Sequence, residues 1–173
     1  ETKAHDFLNV GSMGHASSVA LGIALEKTER KVVALDGDSA CMMHMGAMTM
    51  VSKLDAPNFM HVVLNNGSHE SVGGQPSAGH KVDFTKIAEA CDYATVGHPV
   101  TTEVELVEAL EVLRDCGKAS FIDCRIHKGL SRKLPPVIFD HREVIDALID
   151  DLNESRIIMD NKTKFRINRK KGI

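Results

Sequence analysis

The chain lacks several features that would assign it to a common class of protein. No uncharged apolar run reaches the roughly 18 residues that a membrane-spanning helix needs, and the N-terminus has neither the basic nor the apolar region of a signal peptide. The cysteines Cys41, Cys91, Cys116 and Cys124 form no CxxC pair and show no zinc-ligand spacing. We therefore expect a cytoplasmic protein with reduced thiols and no membrane span.

A strong charge of one sign is also missing. The 173 residues carry a formal net charge of −3 and are 43% hydrophobic, which is enough apolar material for a core-bearing domain. This balance predicts no binding of nucleic acid, although the tail from Lys162 to Lys171 is basic. We expect that tail to be solvated or to face a partner.

Short apolar runs alternate with helix-forming segments along the chain. Lys31–Leu35 and Met60–Leu64 are β-branched and bounded by turn formers, so both are predicted to be buried strands, and Phe121–Ile126 is another. Strand and helix in alternation are typical of a parallel sheet with right-handed crossovers. The expected fold class is α/β, with a mostly parallel sheet flanked by helices.

Local signals predict the remaining elements. We expect two further strands, at Phe7–Val10 and Ala94–Val96, with a glycine turn after the first. Helices are expected over Ala16–Leu25 and from Asp83 to about Cys91. The capping box Thr102-x-x-Glu105 predicts a helix that ends at Leu113, and Asp140-x-x-Glu143 predicts the start of a final amphipathic helix. Pro135 and Pro136 end a predicted linker. The expected domains are residues 1–135, and residues 136–173 as a C-terminal helix and basic tail.

Polar residues follow two of the predicted strands where each strand ends. Asp38 comes after the first strand, and Asn65 and Asn66 end the second. In open α/β sheets ligands bind at the carboxyl ends of strands, and the N–H groups that open the next helix favour an anion. Carboxylate and amide oxygens are hard ligands that suit Mg²⁺ or Ca²⁺. These residues predict a site for a phosphate group and its cation.

The glycine turn after Val10 allows a competing interpretation. A dinucleotide-binding turn would use Asp36, at the end of the next strand, to bind a ribose. That fingerprint requires G-x-G-x-x-G, whereas only Gly11 and Gly14 precede Gly22 here. The spacing disfavours a dinucleotide site.

One pattern in the chain resembles the diphosphate-binding motif of thiamine diphosphate enzymes, which is written GDG or GDGS followed after a long gap by NN. Here the two parts are Gly37-Asp38-Ser39 and Asn65-Asn66. Ser39 stands where glycine is usual, and its hydroxyl could reach a phosphate oxygen. The resemblance implies the corresponding diphosphate-domain fold and a bound thiamine diphosphate.

The same resemblance implies roles for individual residues. The diphosphate and its Mg²⁺ would be held by Gly37, Asp38, Ser39, Asn66 and Ser68, with Asp38, Asn66 and the Ser68 carbonyl as the metal ligands.

The glycine turn has a place in this resemblance as well. Met13 would lie beneath the bent cofactor, and the turn Gly11-Ser12-Met13 would bind its aminopyrimidine ring through the backbone at Gly11 and Met13. A bulky wedge between the two rings brings the exocyclic nitrogen near the thiazolium C2, where proximity makes it the internal base. Without this resemblance Met13 would be a gap-filling core methionine.

Two further segments resemble the phosphonopyruvate decarboxylases and the related sulfopyruvate decarboxylases. They are GSMGHAS at residues 11–17 and HESVGGQ at residues 69–75. This resemblance implies decarboxylation of a 2-oxo acid that carries a phosphonate or sulfonate, with His69, Glu70 and His15 as catalytic candidates. Alternatively, His69 and Glu70 only pair with each other or with the loop backbone. The segment Gly73–Lys81 is expected to be a loop that can move over the site.

One required part is missing from this pattern. Enzymes of this family use a glutamate on a pyrimidine-binding domain, and the resemblance covers only residues 5–130. It therefore implies a pyrimidine-binding domain or subunit as partner, in a dimer or higher oligomer. The chain would be a separate subunit or a fragment of a longer enzyme. Two other functions remain open, a non-catalytic cofactor-binding or assembly subunit and a ligase or synthase.

Overall fold

The structure, a computed structural model, describes residues 5–9, 11–129 and 140–163, with side chains as far as residue 153. The chain divides into two compact units, Val10–Lys133 and a second that joins Glu1–Asn9 with Leu134–Ile173. The predicted linker prolines, residues 164–171 of the basic tail and Val10 lie outside the described residues. In the described ranges no helix is long and apolar enough to cross a membrane. The predicted domain boundary at residue 135 stays a prediction.

The described elements alternate between strand and helix. In chain order they are α1 (Ala16–Glu26), β1 (Val32–Gly37), α2 (Asp38–Met43), a 3₁₀ helix (Met45–Ser52), β2 (Phe59–Asn65), β3 (Ser68–His69), a 3₁₀ turn (Glu70–Val72), β4 (Gln75–Pro76), α3 (Phe84–Ala90), α4 (Glu103–Arg114), β5 (Ser120–Arg125) and α5 (His141–Thr163).

A parallel sheet of three strands lies at the centre of the larger unit. Its strand order is β1-β2-β5, and both neighbouring pairs run parallel. The three predicted strands therefore coincide with β1, β2 and β5 within two residues at each end. The α/β class is confirmed.

The sheet has two faces with different helices on them. The first face carries Phe59, Val63 and Phe121 and packs against α1 and α3. The second face carries Met60, Val62 and Ile122 and is covered by α4, which packs against β5. Side chains alternate between faces because successive residues of a strand point in opposite directions.

Only one face of β1 is buried, which corrects the prediction of a fully buried strand. Val33 and Leu35, on the second face, are 49% and 64% exposed. The reason is that α1 covers the first face of β1, whereas α4 contacts the sheet at β5. A run of apolar residues cannot reveal whether a strand is central or at the edge of a sheet.

Other expectations were met in part. Residues 6–9 are not in a strand, and Ala94 makes only an isolated bridge to Ser120. The segment after Gly37 is rich in methionine, with Met42, Met43, Met45, Met48 and Met50; it is α-helical up to Met43 and has 3₁₀ geometry from Met45 to Ser52. Met48 is buried in the core and Met43 is exposed, so packing explains only part of this methionine content.

Helix starts agree better with the sequence. Thr102 and Glu105 form the predicted capping box at α4, and the Asp83 side chain accepts from the N–H of Lys86 at the start of α3. Each cap satisfies backbone N–H groups that have no partner inside the helix.

Candidate functional site

Two buried polar side chains meet where β1 and β2 end. Asp38, the first residue of α2, is 2% exposed, and Asn65, the last residue of β2, is 0% exposed. The Ser77 hydroxyl donates to Asp38 Oδ2, and Asn65 Nδ2 donates to the Gly79 carbonyl at 2.9 Å. A Cβ built on Gly79 would overlap Asp38 Oδ2 and lie 2.5 Å from Asn65 Oδ1. Both side-chain oxygens therefore face the same point beside Gly79.

This end of the sheet is rich in buried oxygen atoms. Asp36 and Asp123 are also buried, and their charges and that of Asp38 act on the Cys41 thiol. Burial, followed by the charges of these three carboxylates, raises the pKa of the Cys41 thiol to about 12. Within the described residues no hydrogen-bond donor reaches Asn65 Oδ1. An unpaired oxygen beside buried carboxylates is a suitable environment for a hard cation.

Positive charge near these carboxylates is limited. Arg125 Nε lies 3.9 Å from Asp123 Oδ2, and His61 Nε2 lies 3.4 Å from Asp36 Oδ2 without hydrogen-bond geometry. Burial raises the pKa of Asp123. These two contacts leave part of the buried negative charge uncompensated, and a divalent cation beside Asp38 would offset it.

Of the predicted metal ligands, Asp38 lies at this point, and Asn66 and Ser68 follow Asn65 in the chain. In the described ranges no group of three or more His, Cys, Asp and Glu residues could hold a metal ion. Asn66 Oδ1 accepts from the Ser68 N–H at 3.0 Å, and β3, which begins at Ser68, packs against α2. The oxygen shown near Asp38 is that of the Asn65 amide, a type of ligand that Mg²⁺ accepts.

The glycine turn packs directly against α2. Gly11 and Gly14 have φ values of +75° and +87°, and Ser12 between them has a φ of 42°. A Cβ on Gly14 would lie 2.5 Å from the Ala40 carbonyl oxygen and 2.8 Å from the His44 ring, so the close approach requires glycine. The two predicted cofactor-binding segments are therefore neighbours, and Met13 is 42% exposed beside them.

The HESVGGQ segment joins the site through His69. His69 Nε2 lies 3.3 Å from the Ser39 hydroxyl, which stands at the start of α2. Glu70 accepts instead from the Gly129 N–H at 3.0 Å. The described contacts therefore give His69 and Glu70 separate partners, and the alternative in which they pair with each other finds no hydrogen bond among the described residues.

The other histidines have packing contacts. His15 stacks on His44, with ring centroids 3.9 Å apart, beside a cavity of about 390 Å³ that methionines line. His61 is buried between Asp36 and the ring of Phe121. The structure thus brings His69 to Ser39 and places His15 against His44.

Sequence reasoning missed Ser77, Gly79 and Asp123 as parts of this site. Residues 68–76 form a hairpin of β3 and β4, and Ser77 N–H donates to the Gly67 carbonyl at 3.0 Å, which leads the chain back to Asp38. The sequence shows this segment only as a glycine-rich loop. Asp123 had a weak signal, since it is an acidic residue that follows the apolar pair Phe121 and Ile122 within β5.

Comparison with known proteins identifies relatives of this arrangement. The family model of the thiamine pyrophosphate enzyme, C-terminal TPP binding domain, matches residues 2–124. A phosphonopyruvate decarboxylase of Streptomyces viridochromogenes is 42% identical over 104 residues, which are 60% of this chain and 26% of that protein. A sulfopyruvate decarboxylase subunit beta of Methanothermobacter thermautotrophicus is 34% identical over 146 residues, which are 84% of this chain and 75% of that subunit.

A solved structure shares the fold. The thiamine diphosphate-dependent 4-hydroxybenzoylformate decarboxylase of Rhodococcus jostii RHA1 aligns with a TM-score of 0.57 at 19% identity, over 69% of this chain and 24% of that one. This chain therefore spans about a quarter of the phosphonopyruvate decarboxylase and of the solved decarboxylase. Because the family model covers most of its length, the chain belongs to the thiamine pyrophosphate enzymes, within the family of their C-terminal TPP-binding domains.

Proposed function

We propose that this chain supplies the diphosphate-binding half of a thiamine diphosphate- and Mg²⁺-dependent decarboxylase that converts phosphonopyruvate to phosphonoacetaldehyde and carbon dioxide. The observation that carries the proposal is the meeting of buried Asp38 and Asn65 oxygens at the carboxyl ends of β1 and β2. Identity of 42% to a phosphonopyruvate decarboxylase of Streptomyces hygroscopicus, over 90 residues, supports the choice of substrate.

In this proposal Asp38, the Asn66 side chain and the Ser68 carbonyl hold the cation. Asn66 Oδ1 already accepts from the Ser68 N–H, but an amide oxygen has a second lone pair that remains for the metal. Ser77 donates to one Asp38 oxygen and leaves the other for coordination. Ser39 and the N–H groups at the start of α2 would bind the diphosphate, as helix starts favour anions.

The cofactor, when bound, supplies the electron sink that allows carbon dioxide to leave. The chain's own residues position it and control protons around it. Met13, exposed beside the turn that packs on α2, would support the bent cofactor. His69, half-buried beside Ser39, can give or take a proton near the reacting carbon. Glu70 and His15 are the other candidates, although their contacts are with Gly129 and His44.

The rest of the active site would come from elsewhere. We propose a pyrimidine-binding domain or subunit that supplies the activating glutamate, in a dimer or higher oligomer. A second candidate function is that of a sulfopyruvate decarboxylase subunit. The specific observation that favours it is coverage, because the chain spans 75% of a subunit with that name. Both substrates are compact anionic 2-oxo acids, so the same donors could bind either.

The test is aldehyde release by the assembled enzyme from phosphonopyruvate, sulfopyruvate and pyruvate. We expect the highest kcat/KM with phosphonopyruvate. Asp38→Ala should lower kcat/KM at least about 100-fold, because a bound metal contributes several kcal/mol to the transition state. Asp55→Ala, which removes an exposed carboxylate, is the matched control.

Each outcome points to one function. A preference for sulfopyruvate would favour the second candidate, and turnover only with an added acceptor aldehyde would indicate a ligase or synthase. If no 2-oxo acid is turned over, the decarboxylase proposal fails. Cofactor binding without turnover would then indicate a non-catalytic subunit.

A further inference from the structure

Asp123 is a buried carboxylate that the proposed mechanism does not use. It lies in β5 and is 1% exposed, on the first face of the sheet. Its Oδ1 accepts from Asn65 Nδ2 at 3.1 Å, and its Oδ2 has no hydrogen-bond partner among the described residues. Burying a carboxylate with so few partners costs free energy, so its contact with Asn65 requires an explanation.

The orientation of the Asn65 amide follows from its neighbours. The Gly79 carbonyl can only accept, so the Asn65 NH₂ group must face it, and the second N–H of that group reaches Asp123 Oδ1. If the amide were rotated by 180°, its oxygen would face the Gly79 carbonyl oxygen and the Asp123 carboxylate. Gly79 and Asp123 together therefore fix which end of the amide points away from β5.

The fixed end is the amide oxygen, and it points toward Asp38. Asn65 Oδ1 and Asp38 Oδ2 face the same space beside Gly79, where a Cβ would meet both atoms. The oxygen is fully buried and receives no hydrogen bond within the described part of the chain. The Ser77 hydroxyl already donates to Asp38 Oδ2, so of these two oxygens Asn65 Oδ1 is the one left without a partner, and a cation bound to the Asp38 carboxylate could supply one.

We propose that Asp123 is a positioning residue for the cation site: by holding the Asn65 amide, it presents the Asn65 oxygen beside the Asp38 carboxylate and strengthens divalent cation binding there. Asp123 acts through Asn65 and does not itself touch the cation. This inference rests on the proposed function, since it concerns the same cation site. To the proposed ligands Asp38, Asn66 and Ser68 it adds the Asn65 oxygen on β2, and it adds Asp123 on β5 as the residue that holds Asn65.

The experiment measures Mn²⁺ binding to the assembled enzyme in the presence of thiamine diphosphate, by electron paramagnetic resonance. Asp123→Leu removes the acceptor. We expect the dissociation constant for Mn²⁺ to rise about 10- to 100-fold, which is the usual effect of losing a residue that holds a metal ligand in place. Asp123→Asn keeps an acceptor oxygen and should keep most of the affinity. Asp36→Leu is the comparison variant: it removes another buried carboxylate charge from the same face, and the loss that Asp123→Leu causes beyond it reports the contact with Asn65.

A double-mutant cycle tests whether Asp123 acts through Asn65. Asn65→Ala should weaken Mn²⁺ binding to a similar extent, and adding Asp123→Leu to it should cause little further loss. Additive losses, or equal losses in Asp36→Leu and Asp123→Leu, would overturn the inference. Unchanged affinity in Asn65→Ala would also overturn it, whether or not Asp123→Leu folds. If the unmodified enzyme binds no Mn²⁺ with thiamine diphosphate, the proposed function itself fails.

Discussion

The two faces of the central sheet bury different kinds of residue. The first face places Asp36, His61 and Asp123 among aromatic side chains, whereas the second face is apolar apart from Ser120. Because side chains alternate along a strand, the buried charged residues Asp36 and Asp123 and the buried His61 lie on the same side as Asn65. The candidate site is therefore an extension of one face of the sheet.

This difference has an energetic consequence. Buried carboxylates destabilise the first face unless they are paired, so that face depends on its aromatic core for stability. The ring of Phe121 contacts His61 and Tyr93, with centroids 5.3 Å and 5.8 Å away. The second face carries less of the core and leaves Leu35 exposed. The face that carries the site also carries most of the packing.

The largest expected effect is on stability, and it compares the two faces directly. Phe121→Ala should lower the free energy of unfolding by about 3–5 kcal/mol, because it opens a cavity in a buried aromatic cluster. Leu35→Ala should change it by about 0.5 kcal/mol or less, since the side chain is exposed. Denaturant unfolding measures both. Equal losses would mean that another part of the protein covers Leu35 in solution.

A second variant tests how tightly the polar end of the first face is packed. Gly79→Ala places a methyl group against the Asp38 and Asn65 oxygens, so the segment from Ser77 to Gly79 must shift. We expect Mn²⁺ affinity to fall about tenfold, which corresponds to ~1.4 kcal/mol. Unchanged affinity would show that Gly79 lies away from these oxygens in solution.

The matched control for that variant is Gly22→Ala. Gly22 lies within α1, and a Cβ there meets nothing within 4 Å. Replacing a helical glycine by alanine should raise the free energy of unfolding by about 0.5–1 kcal/mol without changing Mn²⁺ affinity. Comparing Gly79→Ala with Gly22→Ala separates crowding of the Asp38 and Asn65 oxygens from the general effect of adding a methyl group.

The sequence predicts the central strands and the helix caps well because these depend on local patterns. Short continuous apolar runs predict β1, β2 and β5, and the Thr102-x-x-Glu105 spacing predicts the start of α4. The exposed second face of β1 could not be predicted, since it depends on where α4 packs. Strands of two residues, such as β3, are too short for any periodicity.

The candidate site was predictable to the extent that motifs are local. Asp38 and Asn65 could be found from the order of strand, turn and helix, and Ser39 from the resemblance to the diphosphate-binding motif. Asp123 lies 58 positions from Asn65, and Ser77 lies 39 positions from Asp38, so these contacts depend on the folded chain. Residues that are close only after folding leave no spacing signal in a single sequence.

A smaller effect is expected at the helix that covers the second face. Thr102→Ala removes the hydroxyl that accepts from the Glu105 N–H, and it should cost about 1 kcal/mol of stability. Amide hydrogen exchange should rise in α4 and remain slow in α3, on the other face. Val104→Ala, at an exposed position in the same turn, is the control. Equal acceleration in both helices would mean that the two faces unfold together.

The smallest effect is a dependence on pH that differs between the faces. Hydrogen bonds from the Thr101 backbone and side chain, and then from the Thr102 backbone, lower the pKa of Glu105 below its ordinary value of 4.5. The folded state then binds fewer protons than the unfolded state. The stability that Glu105 contributes is therefore present above about pH 4.5 and is lost as the pH falls through the folded pKa. Glu105→Gln should therefore reduce the loss of stability in acid, and Glu103→Gln, in the same turn, should not.

On the first face the sign is reversed. Burial raises the pKa of Asp123 above its ordinary value of 3.8, so the folded state keeps this proton longer than the unfolded state does. Its contribution to stability therefore falls as pH rises from about 3.8 through the folded pKa. Hydrogen exchange followed from pH 3 to 6 should show α4 becoming more protected, while Asp123→Asn should increase protection of β5 at the upper end of this range. If Asp123→Asn has the same effect at both ends, the carboxylate is already paired in solution.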